Sequence, residues 1–290
     1  MSFQRRLETG DFVVLAEMNT PKGVNVSELV GNARKIKGRV DAVIIPDMDN
    51  GVMRMSALAG GSLIHQQGME AIIHVYGRDR NRMALQGDVL AAHLLGIRSL
   101  LVVSGEEMAN GDHPDAAVVS DLDELELIGA IRSLQEGVDL AGFSLNGNPE
   151  FTTGCTMGTF ADDAELDAEL AKLEEKVAAG AGFVVTPPVF DVARFADSLE
   201  KIKGLNVPVI ASVFLLKSVG IARYMALNEP GAHISEEMIK RIRKATDRET
   251  ECLLIAGEIT AALKKLVQGV KIETLGWEHK LPTILGFAGL

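Results

Sequence analysis

Charged and amide side chains follow several short apolar runs of this sequence, at the points where strands are predicted to end. Glu17 lies at the end of the first run, Phe12–Met18. In an α/β barrel, that end of a strand is where catalytic residues lie. Apolar neighbours strip water from a carboxyl group and favour its protonated form, which is the form that a general acid needs. Glu17 is therefore a candidate acid, and an ordinary carboxylate at the edge of a loop is the alternative.

The richest cluster of polar residues is the stretch 74–81 (HVYGRDRN), at the end of the third apolar run. His74 lies inside that run, where a single histidine is more often an ordinary core residue than a ligand. Arg78, Asp79 and Asn81 follow it and could anchor the polar atoms of a bound molecule. Solvated loop charges and the start of a helix are the alternative interpretation of these three residues.

Four further candidate residues follow the later predicted strands. Gly105 and Glu106 come after the fourth run. Gly105 would let a ligand approach the backbone closely, and Glu106 would supply one carboxyl group. Asn148 follows the predicted fifth strand in the stretch 146–150 (NGNPE), whose residues are also typical of a turn. Lys176 lies on the next predicted helix, where a solvated charge is the alternative to a contact with a bound phosphate.

Several kinds of site have no support in the sequence. The other histidines share no spacing, and Cys155 and Cys252 lie far apart, so we expect neither a metal site nor an iron–sulfur cluster held by this chain alone. The sequence contains no P-loop, no G-x-S-x-G and no G-x-G-x-x-G after the first strand. The last absence argues against a Rossmann domain.

The bulk composition excludes two classes of partner. The 290 residues carry a formal net charge of −11 and no block of Lys and Arg, so nucleic-acid binding is not expected. No run of about 20 apolar residues is present, so we expect no membrane span. The polar first residues do not resemble a signal peptide, and two thiols fit a reducing compartment, so the expected location is the cytoplasm.

The elements that position the candidate residues are eight apolar runs alternating with helices. This alternation implies parallel βαβ units, and the count favours a (β/α)8 TIM barrel over an open sheet. We expect one domain, residues 1–290, with extra helices, Ser235–Thr246 and Glu251–Gln268, before the last strand. The predicted strands are Phe12–Met18, Val40–Ile45, Ala71–Val75, Ser99–Val103, Asp139–Ser144, Gly182–Thr186, Val207–Phe214 and Val270–Thr274.

Taken in order, these stretches resemble the methylenetetrahydrofolate reductase family of flavin-dependent barrels in one-carbon metabolism and methionine biosynthesis. The resemblance runs from Glu17 to Leu275. The stretches that carry it are 74–81, 96–100 (GIRSL), 148–150 (NPE), 175–181 (EKVAAGA), 190–191 (FD) and 230–233 (PGAH). It implies interconversion of 5,10-methylenetetrahydrofolate and 5-methyltetrahydrofolate. A flavin-free or non-catalytic barrel that binds folate or pterin in a methyl-transfer complex is the alternative.

The resemblance also implies roles for matching positions. Glu17 matches the acid that assists opening of the five-membered ring of the folate. The implied cofactor is FAD, with FMN as the alternative. The residues expected at the flavin are His74, Arg78, Asp79, Asn81, Gly105, Glu106, Asn148 and Lys176, and those expected at the substrate are Glu17, Glu106 and Phe190.

The sequence departs from the family at four places. Glu106 stands where the family usually has Asp, and Pro187 stands where it has a substrate-contacting Gln. Ser144 replaces a Tyr near the end of the predicted fifth strand, and Met18 begins a stretch that is aromatic in many members. Because nicotinamide stacking needs flat apolar surfaces, we expect an iron–sulfur partner subunit to supply electrons, with NAD(P)H as the alternative. A homo-oligomer is compatible with the sequence, which does not fix the oligomeric state.

Overall fold

Eight parallel strands close into a barrel in sequence order, and the first strand pairs with the last to complete the ring. The computed structural model describes residues 1–105, 107–229 and 231–290. This architecture is the (β/α)8 TIM barrel that the alternation of strands and helices predicts. The strands are β1 (Val13–Glu17), β2 (Ala42–Ile45), β3 (Glu70–Val75), β4 (Ser99–Val102), β5 (Thr152–Thr156), β6 (Phe183–Pro188), β7 (Val209–Phe214) and β8 (Gly269–Glu273).

Helices follow the strands, and two extra ones precede β8 as the sequence predicts. None of the helices in the described ranges is long and apolar enough to cross a bilayer. The α-helices are α1 (Phe3–Thr9), α2 (Ser27–Ile36), α3 (Ala57–Gln66), α4 (Arg82–Leu94), α5 (Glu124–Gln135), α6 (Asp163–Ala179), α7 (Val192–Lys203), α8 (Val219–Asn228), α9 (Glu236–Lys244), α10 (Arg248–Leu263) and α11 (Leu281–Phe287).

The strand residues alternate between two apolar layers. On β1, Val13 and Leu15 belong to the cluster that fills the barrel, whereas Val14 and Ala16 pack in the layer shared with the helices. Side chains two residues apart on a strand point to the same face. Glu17 therefore points into the barrel, at the carboxyl end of its strand.

The predicted fifth strand is wrong. Residues 139–144 form a turn in which Oδ1 of Asp139 accepts hydrogen bonds from the amides of Ala141 and Phe143. The fifth strand is instead Thr152–Thr156, within a stretch that the sequence predicts as a loop. Gly154 leaves room inside the barrel for the ring of Phe183, because a Cβ at Gly154 would lie 2.3 Å from that ring. A strand of Thr, Gly and Cys therefore fits where a large residue would clash.

A short N-terminal helix closes the amino end of the barrel, and the sequence analysis does not predict it. Ser2 caps α1 by accepting a hydrogen bond from the amide of Arg5. Phe3 and Leu7 are buried in the apolar cluster that fills the barrel. The ring of Phe3 meets the ring of Phe183 edge-on, with 5.3 Å between the ring centroids. Apolar side chains thus close the amino end of the barrel.

Candidate active site

On the described strands, four titratable side chains point into the carboxyl end of the barrel. Glu17 lies on β1, His74 on β3, and Lys271 and Glu273 on β8. Each alternates with residues of the outer apolar layer, such as Ala16, Ile73 and Ile272, so all four face inward. Three strands that are distant in sequence therefore bring two acids, one ammonium and one imidazole together.

Lys271 is bonded to both carboxylates. Its Nζ lies 2.9 Å from Oε2 of Glu17 and 2.6 Å from Oε1 of Glu273. Glu17 and Glu273 are register partners on neighbouring parallel strands. The side chains are 11%, 11% and 14% exposed for Lys271, Glu17 and Glu273, so little water reaches the cluster. One ammonium thus serves two nearly buried carboxylates.

Burial and charge change the proton affinities of this cluster. Burial, together with the nearby Glu17, raises the pKa of Glu273, and this outweighs the opposing effect of Lys271. Burial acts to lower the pKa of Lys271, but Glu17 and Glu273 outweigh it and hold that pKa above its ordinary value. Lys271 is therefore cationic at neutral pH, while Glu273 binds a proton more readily than a solvated glutamate does.

His74 is a neutral imidazole at the same end of the barrel. Burial, with a smaller effect of Lys271, lowers its pKa to about 3. Its Nε2 is buried and has no hydrogen-bond partner. A buried polar atom without a partner costs free energy, and such an atom in a barrel mouth is available to a ligand.

The remaining residues of the stretch after β3 bond to one another. The guanidinium of Arg78 binds both carboxylate oxygens of Asp79, at 2.7 and 2.9 Å, and also donates to Oη of Tyr76. Oδ1 of Asn81 accepts from the amides of Met83 and Ala84 and so caps α4. Asp79 and Asn81 thus hold the loop and the helix start in the described structure, while Arg78 is buried beside them.

Lys176 lies on α6 behind the end of β5. Its Nζ lies 2.9 Å from Oε2 of Glu124 and donates to the carbonyl of Thr156 at 3.0 Å. Oε1 of Glu124 is buried without a hydrogen-bond partner. The ammonium is therefore neutralised by one protein carboxylate, and the second oxygen of that carboxylate is unpaired.

A cavity of about 420 Å³ lies at the carboxyl ends of β3 and β4. Gly105 lines it with a φ of +76°, a left-handed conformation that favours glycine. Arg78 and Ser104 line the same cavity. Glu106, expected at both cofactor and substrate, lies outside the described residues. The cavity is within the size range of small-molecule sites.

A second, smaller cavity lies beside the end of β6. Pro187 and Phe190 line it together with Met157, Phe160 and Arg194. Phe190 is buried, and its ring meets that of Phe214 with 6.4 Å between centroids. Phe190 thus lies at the carboxyl end of the barrel, in apolar surroundings.

Two positions expected at this end lie elsewhere. Asn148 precedes β5 and donates to the carbonyl of Gln135, the last residue of α5, so it lies at the amino end of its strand. Ser144 belongs to the turn before that strand, and the residue that follows β5 is Met157. Both misplacements follow from the wrong position of the fifth strand.

Lys271 and Glu273 were not predicted as site residues from the sequence. A signal was present, because Lys and Glu alternate with Val270 and Ile272 in an otherwise apolar strand. Alternation of this kind places both charges on one face of the strand. Within the described ranges, no group of three or more His, Cys, Asp or Glu side chains could hold a metal ion, and Cys155 and Cys252 are buried free thiols.

Comparison with solved structures returns other barrels. An uncharacterized protein from Clostridium thermocellum, described as binding two copies of 5-methyl-5,6,7,8-tetrahydrofolic acid, superposes with a TM-score of 0.66 at 14% identity, over 100% of this chain and 99% of that chain. EDTA monooxygenase from Chelativorans sp. BNC1 superposes with a TM-score of 0.57 at 8% identity, over 96% of this chain and 94% of that chain. 2,3-Dimethylmalate lyase superposes with a TM-score of 0.54 at 11% identity, over 99% of this chain and 84% of that chain. At sequence identities this low, the structural similarity shows a shared fold alone.

Comparison with family sequence models is more specific. The model described as Methylenetetrahydrofolate reductase matches residues 2–288, which is nearly the whole chain. The match includes β1 with Glu17, the stretch after β3, and β8 with Lys271 and Glu273. The chain therefore belongs to the methylenetetrahydrofolate reductase family.

Proposed function

We propose that this chain is a flavin-dependent reductase that interconverts 5,10-methylenetetrahydrofolate and 5-methyltetrahydrofolate. The observation that carries the proposal is the inward-facing carboxyl of Glu17, at the mouth of a barrel whose sequence matches the reductase family from residue 2 to 288. The folate described for the Clostridium thermocellum protein supports the same class of ligand.

Glu17 would supply the proton that this chemistry needs. The methylene carbon of the substrate is bonded to N5 and N10 of the folate, and neither C–N bond breaks easily while both nitrogens are uncharged. In the proposed step the Glu17 carboxyl gives its proton to N10 as the C–N10 bond breaks. The bonding electron pair goes to N10 and leaves an iminium at N5. In the reverse direction, the Glu17 carboxylate takes that proton back. Positioned acid catalysis of this kind contributes about 10²- to 10⁴-fold.

The described residues fit a flavin in two respects. Nε2 of His74 is a buried polar atom without a partner, and Arg78 and Gly105 line the separate cavity of about 420 Å³. In this proposal His74, Arg78 and Gly105 hold the ring portion. Lys176 gives up its ion pair with Glu124 and binds the flavin phosphates instead. Phe190 contacts the substrate. A bound flavin would supply the hydride that reduces the one-carbon unit. Asp79 and Asn81 support the site through Arg78 and α4, and Asn148 is left out because it lies at the opposite end of its strand.

The proposed electron source is a partner protein with an iron–sulfur cluster. A nicotinamide at this site would need an amide group and an aromatic face to contact. Pro187 lies near the end of β6 and Met157 directly follows β5, and neither side chain provides such a group. The described residues hold no metal-binding group of their own. NAD(P)H bound through other residues is the alternative, and FAD is the proposed flavin with FMN as its alternative.

Two measurements on one preparation test this function. The purified protein should be yellow, and acid precipitation should release a non-covalent flavin whose retention time identifies FAD or FMN. The same protein should oxidise 5-methyltetrahydrofolate with an artificial dye as electron acceptor. A colourless protein that binds 5-methyltetrahydrofolate but no added flavin would contradict the reductase and indicate the flavin-free folate barrel instead.

A further inference from the structure

The mouth of the barrel holds one more carboxylate than a single general acid requires. Glu17 and Glu273 are register partners, and both bond to Nζ of Lys271 within 3.0 Å. One ammonium carries one positive charge, so it neutralises one carboxylate and leaves the other uncompensated. Two close carboxylates in a poorly hydrated site do not both remain ionised.

Among the described residues, the neighbouring strands bring no second compensating cation to the cluster. From β3 the cluster faces His74, which is neutral at pH 7. From β7 it faces Ser212 and Phe214, the register partners of Lys271 and Glu273, and neither side chain titrates near neutral pH. Leu15 lies one layer below Glu17. The titratable groups that the described strands β1, β3, β7 and β8 bring to the cluster are thus Glu17, Glu273, Lys271 and His74.

We propose that Glu17 and Glu273 share one proton beside Lys271 and act as a single acid, with Glu273 as a positioning residue that keeps Glu17 protonated. The inference rests on the proposed function and names a residue for it. Lys271 alone would hold Glu17 ionised, which is the wrong state for a general acid. Glu273 neutralises the charge of Lys271 through its own ion pair, so that the proton stays available on Glu17.

The proton balance of the step is simple. The shared proton leaves Glu17 for N10 of the folate, and the electron pair of the broken C–N10 bond stays on N10. Both carboxylates are then ionised beside one ammonium. One proton from water at the mouth restores the shared state before the next turnover.

The first test needs no folate. Infrared difference spectra of the purified protein, with and without ¹³C-labelled glutamate, should show a protonated glutamic acid at pH 7. The band should disappear in Glu17→Gln and in Glu273→Gln, and it should persist in Glu28→Gln, which removes an exposed carboxylate. If the band is absent from the parent, or persists in either mouth variant, the shared proton is refuted.

The second test links the pair to turnover. In Glu273→Gln, the pH above which folate turnover declines should be at least ~1 unit lower than in the parent. Above the parent's value, turnover of the variant should be ~10-fold or more below that of the parent. Removing the cation as well, in Lys271→Met with Glu273→Gln, should restore the parent profile because Glu17 then has no charged neighbour. An unchanged profile in Glu273→Gln would refute the positioning role. A parent that shows the infrared band but no folate turnover refutes the proposed function and leaves the shared proton standing.

Discussion

Nζ of Lys271 lies 2.9 Å from Oε2 of Glu17, so a cation on the last strand reaches the candidate acid on the first strand. The two strands are neighbours because the barrel closes between β1 and β8. A carboxylate beside a fixed cation is held ionised, whereas a general acid must carry a proton. Glu273, which bonds to the same ammonium, offsets that effect. The acid–base character of the site therefore depends on closure of the barrel.

Replacing Glu17 by Gln should separate the folate step from the flavin step. The amide keeps the shape of the side chain but has no proton to give, so folate turnover should fall by ~10²-fold or more. Reduction of the bound flavin by an artificial donor should continue at the parent rate. Dye-linked turnover and stopped-flow absorbance measure the two steps. Glu28→Gln, an exposed substitution of the same kind, should match the parent in both assays. Near-normal folate turnover in Glu17→Gln would remove Glu17 from the mechanism.

The neutral state of His74 should make stability depend on pH. Its pKa is about 3 in the folded chain, below the value of about 6.5 for an unfolded chain, so the unfolded state binds the extra proton between these values. This contribution to stability is complete above pH 6.5 and is lost as the pH falls. Between pH 7.5 and pH 5 the loss should be about 2 kcal/mol, from roughly 1.4 kcal/mol per pH unit below 6.5.

Urea unfolding at the two pH values measures this loss. His74→Gln should reduce the difference between them by most of that amount, whereas His279→Gln, which alters an exposed histidine, should leave it unchanged. Equal pH dependence in the parent and in His74→Gln would show that His74 is not the group that titrates.

The electron donor can be identified by rapid mixing. Neither NADH nor NADPH should bleach the bound flavin on the timescale of turnover, because the proposed donor is a partner protein. An artificial donor of low potential should bleach it in the same experiment, which shows that the flavin can be reduced. Bleaching by either nicotinamide at ~1–10³ s⁻¹, the usual range of enzyme turnover, would overturn the partner hypothesis.

The N-terminal helix should contribute strongly to stability. Phe3 is fully buried against Phe183, and Phe3→Ala would leave a cavity at the closed end of the barrel. Large-to-small changes of this kind cost about 3–5 kcal/mol. Phe143→Ala makes the same change on a side chain that is 71% exposed and should cost less than about 0.5 kcal/mol. Urea unfolding of the two variants tests the difference, and equal stabilities would show that α1 does not seal the barrel.

Seven of the eight strands could be predicted because each is a largely apolar run. β5 could not, since its stretch of Thr, Gly and Cys has little apolar character. Its inward position at Gly154 is small because Phe183, from the next strand, fills the space. A residue chosen to suit a neighbour in three dimensions leaves no pattern along its own strand. The stretch 139–144 contains Leu and Phe, but Asp139 folds it into a turn.

The candidate site was predictable where one strand carries the signal. Glu17 and His74 each end or interrupt an apolar run, and both lie at the mouth of the barrel. The bonds of Lys271 to Glu17 and Glu273 depend on closure between β1 and β8, which no local pattern encodes. The internal pairing of Lys176 with Glu124 depends likewise on α5 packing against α6. Sequence therefore indicated individual residues, and the fold determined which of them meet.

The position of Phe3 has a consequence for the order in which the protein assembles. Phe3 precedes β1 in the sequence, yet its ring partner Phe183 lies on β6, and β1 pairs with β8 as well as with β2. Contacts between residues so distant in sequence form slowly, because a long loop must close before they bring any stabilisation. α1 therefore reaches its final place only once β6 is in position.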